Sequence, residues 1–193
     1  MSKISILGAA ESGVGAAVLA LNKGYDVFVS DMGMIKEHYK EILNTYGIDW
    51  EEGRHSADKI LDAEEIIKSP GIPDNAPMVA EAISKGIHII NEIEFAARYT
   101  DAKMICITGS NGKTTTNNTL CAALEAEGFK VVCNHTGSNM LNGVAAAFVL
   151  AAGWNGNLNA DYACLEVDEA STRRVIPHVK PDYMITTNLF RDQ

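Results

Sequence analysis

Residues Gly109 to Thr115 read "GSNGKTT" and set two glycines, one cation and three hydroxyls at the end of the apolar run "MICIT". Glycines at 109 and 112 allow backbone N–H groups to converge on one point, and a helix opening at Lys113 adds the partial positive charge of its N-terminus. The ligand stabilised by such an arrangement is an anion, above all a phosphate. Lys113 is long enough to reach the outer phosphates of a nucleotide, and Thr114 can offer its hydroxyl to Mg2+. The usual phosphate loop is G-x-x-x-x-G-K-[ST], whereas here only Ser110 and Asn111 separate the glycines. Judged on spacing alone, a plain strand–turn–helix connection accounts for the stretch equally well.

A phosphate-bound Mg2+ takes one or two carboxylates and completes its shell with water. The segment "YACLEVDEAS" supplies Glu166, Asp168 and Glu169 at the end of a later strand. Alone, these read as readily as a solvated acidic loop; beside Lys113 and Thr114 the metal reading is favoured. A second glycine turn, "GAAESGVG", holds Gly8, Gly13 and Gly15 without the G-x-G-x-x-G spacing of a dinucleotide site. Asp31 closes the next strand, where a Rossmann domain binds a ribose hydroxyl, and "SPG" at 69–71 lies at a further strand end. Close helix–strand packing explains the glycines, and a simple turn explains Asp31 and the proline, without any ligand.

The elements that must position these residues follow from the apolar pattern. "ISIL", a glycine turn, "GVGAAVLALNKG" and "DVFVSD" make a strand–helix–strand unit and hence a parallel sheet. "KEHYKEILNTYG" predicts an amphipathic helix, "EEIIK" a strand, "APMVAEAISKG" a helix, "IHII" a strand and "NEIEFAARYT" a helix. At "TDAK" the pattern restarts: "MICIT" a strand, "KTTTNNTLCAALEAEG" a helix, "KVVC" a strand, "NMLNGVAAAFVLAA" a helix, then strands at "YACLEV" and "YMITTN". The boundary is expected near 93–102, separating a unit of residues 1–93 from one of 94–193.

Composition narrows the function classes. The 193 residues carry 16 Lys and Arg against 25 Asp and Glu, a net charge of −9. That argues against a general nucleic-acid or acidic-membrane binder, which needs a basic excess. Cys106, Cys121, Cys133 and Cys164 show no C-x-x-C spacing and read as reduced thiols rather than a disulfide or zinc framework. The five histidines are dispersed without metal-ligand spacing, and neither the N-terminus nor "GVAAAFVLAAGW" is apolar for long enough to be a secretory or spanning segment. The chain is expected to be cytoplasmic.

"ITGSNGKTTT" resembles the ATP-binding loop of the Mur ligase family, which builds the peptidoglycan precursor peptide and in which the shorter glycine spacing is the normal form. Over residues 1–117 the likeness is to the branch that joins D-glutamate to UDP-MurNAc-L-alanine, and it rests on "ILGAAESGVGAAVLA", "VFVSD", "KSPGIP", "EIEFAARYTDAK" and the loop. It implies an α/β chain, with an N-terminal Rossmann-like domain that binds the UDP substrate followed by an incomplete P-loop central domain. It further implies ATP held by Gly109, Ser110, Asn111, Gly112, Lys113, Thr114 and Thr115, with Lys113 and Glu166 catalytic and Thr114 and Glu166 on Mg2+. Glu11, Ser12, Asp31, Ser69 and Gly71 would lie against uridine or diphosphate, and Asn139 near nucleotide and substrate.

After the loop the likeness shifts. "NHTGSNMLNGVAAAFVLA" and "LEVDEASTRRVIPHVKPDYMITTNLFRDQ", within residues 118–193, resemble the synthetase subunit that amidates the glutamate of lipid II together with a glutaminase subunit. The exchange falls at the glycine loop that both branches share, so a hybrid of two lineages is expected. Family members continue beyond this point into a third domain, so the chain reads as the front part of a ligase, inactive by itself. An NAD(P)-dependent oxidoreductase is the reading of the first unit alone, and the second phosphate loop argues against it.

Overall fold

The structure, a computed structural model, describes residues 1–69, 71–133, 160–169, 172, 173, 176 and 180–188. The chain divides into two compact units, Met1–Phe95 and Ala96–Gln193.

In the first unit the order is β1 (Lys3–Leu7), α1 (Glu11–Asn22), β2 (Asp26–Asp31), α2 (Glu37–Thr45), β3 (Asp49–Glu52), α3 (Ala57–Ile60), β4 (Glu65–Lys68), α4 (Pro77–Ser84), β5 (His88–Asn91) and α5 (Glu92–Ala97), the last running just past the division. All pairings are parallel, and the strands lie in the order β3-β2-β1-β4-β5. The chain thus steps outward from β1 in one direction, then returns to β1's other side with β4. At that reversal the loops after β1 and β4 part, which makes a crevice at the strands' C-terminal ends.

β1 is central, and Ile4 to Leu7 are all buried, which is why it reads as one unbroken short run instead of an alternation. Gly13, Ala16, Ala17 and Ala20 form the buried stripe of α1 at helical spacing. These small residues bring the helix close to the sheet: a Cβ on Gly13 would stand 2.0 Å from the Gly8 carbonyl oxygen. α4 opens with Pro77, whose missing N–H costs nothing in a first turn. Leu7, Ile60, Ala63, Ile66, Val79 and Ala82 make a core cluster beneath α3 and α4. β3 and α3 were not foreseen. "DWEE" has almost no apolar residue, and its strand conformation comes from the ladder with β2, Phe28 opposite Asp49 through Asp31 opposite Glu52.

The second unit holds β6 (Lys103–Thr108), α6 (Lys113–Ala126), β7 (Val131–Cys133), β8 (Tyr162–Glu166) and β9 (Tyr183–Thr186). Its sheet is parallel, in the order β7-β8-β6-β9. Ile105, Ile107, Cys121 and Cys164 form its core cluster, with Leu120, Leu124 and Ile185 packed around it. The helix expected over "NMLNGVAAAFVLAA" lies outside the described residues, as does Asn139. No helix among the described residues is long and apolar enough to cross a membrane.

The expectation of four reduced cysteines is corrected. Cys121 and Cys133 form a disulfide, while Cys106 and Cys164 are free and buried. Their spacing of 12 residues carries no signal in sequence. The α6–β7 reversal brings the two side chains together, and that is a tertiary event.

Candidate functional site

In the second unit the glycine loop leaves the C-terminal end of β6, the central strand, and α6 begins at Lys113 with Gly112 as its cap in the left-handed region. Gly109 also has positive φ, 137°, and a Cβ there would stand 2.2 Å from Thr187 Oγ1 and 2.7 Å from the Asn188 carbonyl oxygen. Only glycine fits. The segment after β9 therefore backs the loop directly: Thr187 donates to the Asn111 carbonyl at 2.6 Å, and Asn188 accepts from the Ser110 N–H at 3.0 Å and the Asn111 N–H at 2.8 Å. These two N–H groups lock the loop to β9's end. The donors left to face a ligand are those of the first α6 turn, Lys113 to Thr115, which by helix geometry have no acceptor within the helix.

Lys113 is 9% exposed, and its ammonium donates to the Gly109 carbonyl while standing 3.9 Å from Glu169 Oε2. The cation thus lies across the mouth of the loop. Glu169 accepts from the Ser110 hydroxyl at 2.6 Å, and that bond holds its carboxyl below the usual range. Thr114 donates to both oxygens of Glu166, at 2.9 and 3.1 Å, and Glu166 is 3% exposed at the end of β8. The structure therefore brings together Gly109, Gly112, Lys113, Thr114 and Glu166. A hydroxyl beside one ionisable carboxylate at a phosphate loop fits a hard cation of the Mg2+ type, which takes few protein ligands. Asp168 offers its backbone carbonyl to Thr172. Thr115 follows on α6 and is exposed.

In the first unit the five loop residues expected from the resemblance lie at one sheet end in unequal ways. Asp31 accepts from the Ala9 N–H and the Gly33 N–H, both at 2.7 Å, one with each oxygen. Both carboxylate oxygens thus brace the β1 and β2 turns. Ser12 is buried in the first turn of α1 and donates to Glu92 Oε1 at 3.1 Å. Ser69 is half-buried after β4, with its N–H on the Leu7 carbonyl at 2.9 Å. Glu11 is exposed at the N-terminus of α1, and Gly71 has open space where a side chain would stand.

Two contributors were missed from sequence. Glu92 is 1% exposed, with its second oxygen, Oε2, lacking a hydrogen-bond partner. Burial pushes its carboxyl up to about 7, against the opposing pull of Ser12, Ser69 and the Lys68 charge. In "NEIEF" it reads as an ordinary first-turn acid, so nothing local announces it. Asn188 was likewise hidden in "ITTN"; its position after a strand of the same parallel sheet is the one available signal.

With that geometry the comparisons agree. The MurD N-terminal domain family matches residues 3–78 and the Mur ligase middle domain family residues 107–192. UDP-N-acetylmuramoylalanine–D-glutamate ligase of Bacteroides fragilis is 58% identical over 131 residues, which is 68% of this chain and 30% of that protein. The protein of the same name from Christiangramia forsetii is 40% identical over 200 aligned residues, covering 98% of this chain and 40% of its own. A pseudomurein peptide ligase type C from Methanothermus fervidus is 27% identical with a TM-score of 0.58, matching 100% of this chain and 39% of its own. The chain spans 30% to 40% of the length of these curated relatives. Two domain families in tandem, a relative that aligns with 98% of this chain, and a phosphate loop built on Gly109, Lys113 and Thr114 have one common explanation: the chain belongs to the Mur ligase family.

Proposed function

We propose that this chain supplies the UDP-substrate domain and the first part of the ATP-binding domain of a ligase that joins D-glutamate to UDP-MurNAc-L-alanine. The observation that carries the reading is the Lys113, Thr114 and Glu166 constellation at the ends of β6 and β8. The substrate carboxylate attacks the γ-phosphorus of ATP and ADP departs; the amine then attacks the carbonyl carbon of the acyl phosphate, phosphate leaves, and the nitrogen loses a proton. Such phosphoryl transfer asks for positioning and charge neutralisation, not a protein nucleophile. Lys113 turns from the Gly109 carbonyl to the phosphates, and Glu169 retains a charge beside it that orients the ammonium. Mg2+, when bound, neutralises phosphoryl oxygens; Thr114 and Glu166 hold it.

In the first unit Glu11, Ser12, Ser69 and Gly71 receive the uridine diphosphate portion, and Asp31 shapes the two turns that contact it. UDP-MurNAc-L-alanine and D-glutamate appear here because relatives with that printed name align with the chain. A second reading keeps the same ATP chemistry but makes the product an amidated lipid II, with a glutaminase subunit as partner. It is favoured by "EVDEAS", whose Glu169 takes part in the loop through Ser110.

Calorimetric titration with ATP and Mg2+ tests the shared part. Lys113→Ala should weaken binding by about 1.5–3 kcal/mol, the worth of one charge-assisted contact. Equal affinities for the variant and the wild type would remove the loop from the mechanism. Amide shifts at Glu11–Gly13, Ser69 and Gly71 on adding UDP-MurNAc-L-alanine support the first branch, and shifts elsewhere only would sink it.

A further inference from the structure

Behind the phosphate loop, three sulfur atoms from three different elements converge. Cys121 lies on α6, Cys133 ends β7 and Cys164 lies in β8, with all three sulfurs within 4.8 Å of one another. Sulfurs bound at about 2.3 Å to one ion stand roughly 4 Å apart, so the Cys121 and Cys133 sulfurs, joined in a disulfide here, must be reduced and move apart by about 2 Å to hold one. Cys121 and Cys164 are 1% and 0% exposed, and half-buried Cys133 gives the route in. The cluster contains neither carboxylate nor imidazole.

Asn117 adds an independent sign. It sits one turn before Cys121 on α6, is 1% exposed, and its Nδ2 has no hydrogen-bond partner. Its Oδ1 lies 3.9 Å from Cys121 Sγ. A disulfide sulfur has no proton to donate to that oxygen. A half-turn of the amide exchanges O for N and aims the orphaned N–H at the sulfur, and a thiolate accepts such a bond readily. Donors of this kind orient thiolate ligands in metal sites.

We propose that Cys121, Cys133 and Cys164, once reduced, form a three-thiolate site for a soft thiophilic cation, Zn2+ or Cu+, with the Asn117 amide as its hydrogen-bond donor. Three sulfur ligands without oxygen select this class of cation over Mg2+ or Ca2+. Reduction is balanced by a thiol reductant: two reductant thiols become a disulfide, and the Cys121–Cys133 bond takes up their two electrons and two protons. The cation then displaces thiol protons to water. Occupancy pins α6 to β8, the helix and strand that carry Lys113 and Glu166.

The test titrates the whole chain with Cd2+, after reduction and transfer to anaerobic buffer without reductant, and reads sulfur-to-cadmium charge-transfer absorption. The band should saturate near one ion per chain and be absent from the oxidised protein. Zn2+ and Cu+ compete in separate arms, and the one that displaces Cd2+ at near-equal concentration names the class. Cys133→Ser, Cys164→Ser and Asn117→Ala should each weaken Cd2+ binding about tenfold or more, while Cys106→Ser leaves it unchanged. Circular dichroism of each metal-free variant separates a lost ligand from a lost fold, and Cys133→Ser, at a half-buried position, is the variant that decides if the buried ones unfold. No saturable band in the reduced, folded wild type, or a band unaltered by Cys133→Ser, overturns the site.

Discussion

The two glycine turns, after β1 and after β6, share a geometry and differ in chemistry. Each leaves the central strand of a parallel sheet and enters a helix at its N-terminus. Around the first stand Ser12, Ser69, a buried Glu92 and an Asp31 that bonds only backbone N–H groups. Around the second stand a cation and a hydroxyl–carboxylate pair. A strand–turn–helix therefore supplies partial positive charge wherever it occurs, and the side chains around it set how further charge is met: hydroxyls and a buried carboxyl at the first turn, a cation at the second. The glycines differ as well: Gly13 answers to close helix–strand packing, Gly109 to both a left-handed backbone and the segment behind it.

Substitutions can separate these roles. Gly109→Ala forces a Cβ into Thr187 and Asn188 at a φ that alanine resists, and should destabilise the second unit by roughly 2–4 kcal/mol. Gly13→Ala has the steric conflict alone, with the Gly8 carbonyl, and should cost the first unit about 1–3 kcal/mol. Thermal unfolding of each variant measures both, and an inverted order would mean that the second loop is not held by β9's end.

The next largest effect is a pH dependence confined to the first unit. The Glu92 carboxyl is raised to about 7 in the fold from an ordinary 4.5. The folded state then binds more protons between these values, so stability falls as pH rises through that window and levels off above about 7. The loss is at most about 3 kcal/mol, and Glu92→Gln should flatten it. A wild-type profile already flat from pH 4.5 to 7 would show that Glu92 is not protonated in the fold.

Asp31→Ala removes two charge-assisted bonds to the Ala9 and Gly33 N–H groups, an expected loss of about 1.5–3 kcal/mol from the first unit, and leaves ATP binding in the second unchanged. Altered ATP affinity would break the separation of the two turns. Smallest of all, Ser110→Ala should let the Glu169 carboxyl rise toward its ordinary range, because the Ser110 hydroxyl is the main influence holding it down. Carbon-13 titration of that carboxyl reads the change, and an unmoved titration would mean that Lys113 dominates instead.

By itself the amino-acid order determined the alternation of strands and helices, the two-unit organisation and the phosphate loop. These follow from short-range causes: apolar periodicity, β-branched runs, and glycines beside a lysine and threonines. Pattern alone offered Glu166, Asp168 and Glu169 at a strand end; the family resemblance paired Glu166 with Thr114, 52 residues away, and the structure joins those two by hydrogen bonds. Other features became visible only when the chain closed on itself. β3 owes its form to pairing with β2, since "DWEE" has no strand pattern of its own. Asp31 read from sequence either as a ligand contact or as a simple turn residue, and its bonds to the Ala9 and Gly33 N–H groups come from how the two loops meet. Glu92 acquires its raised carboxyl from burial, a property of everything packed around it. Asn188 stands 77 residues from the loop it clamps, and Cys121, Cys133 and Cys164 meet across α6, β7 and β8. Each is a contact between segments distant in sequence, set by parallel strand order, and no local pattern encodes it.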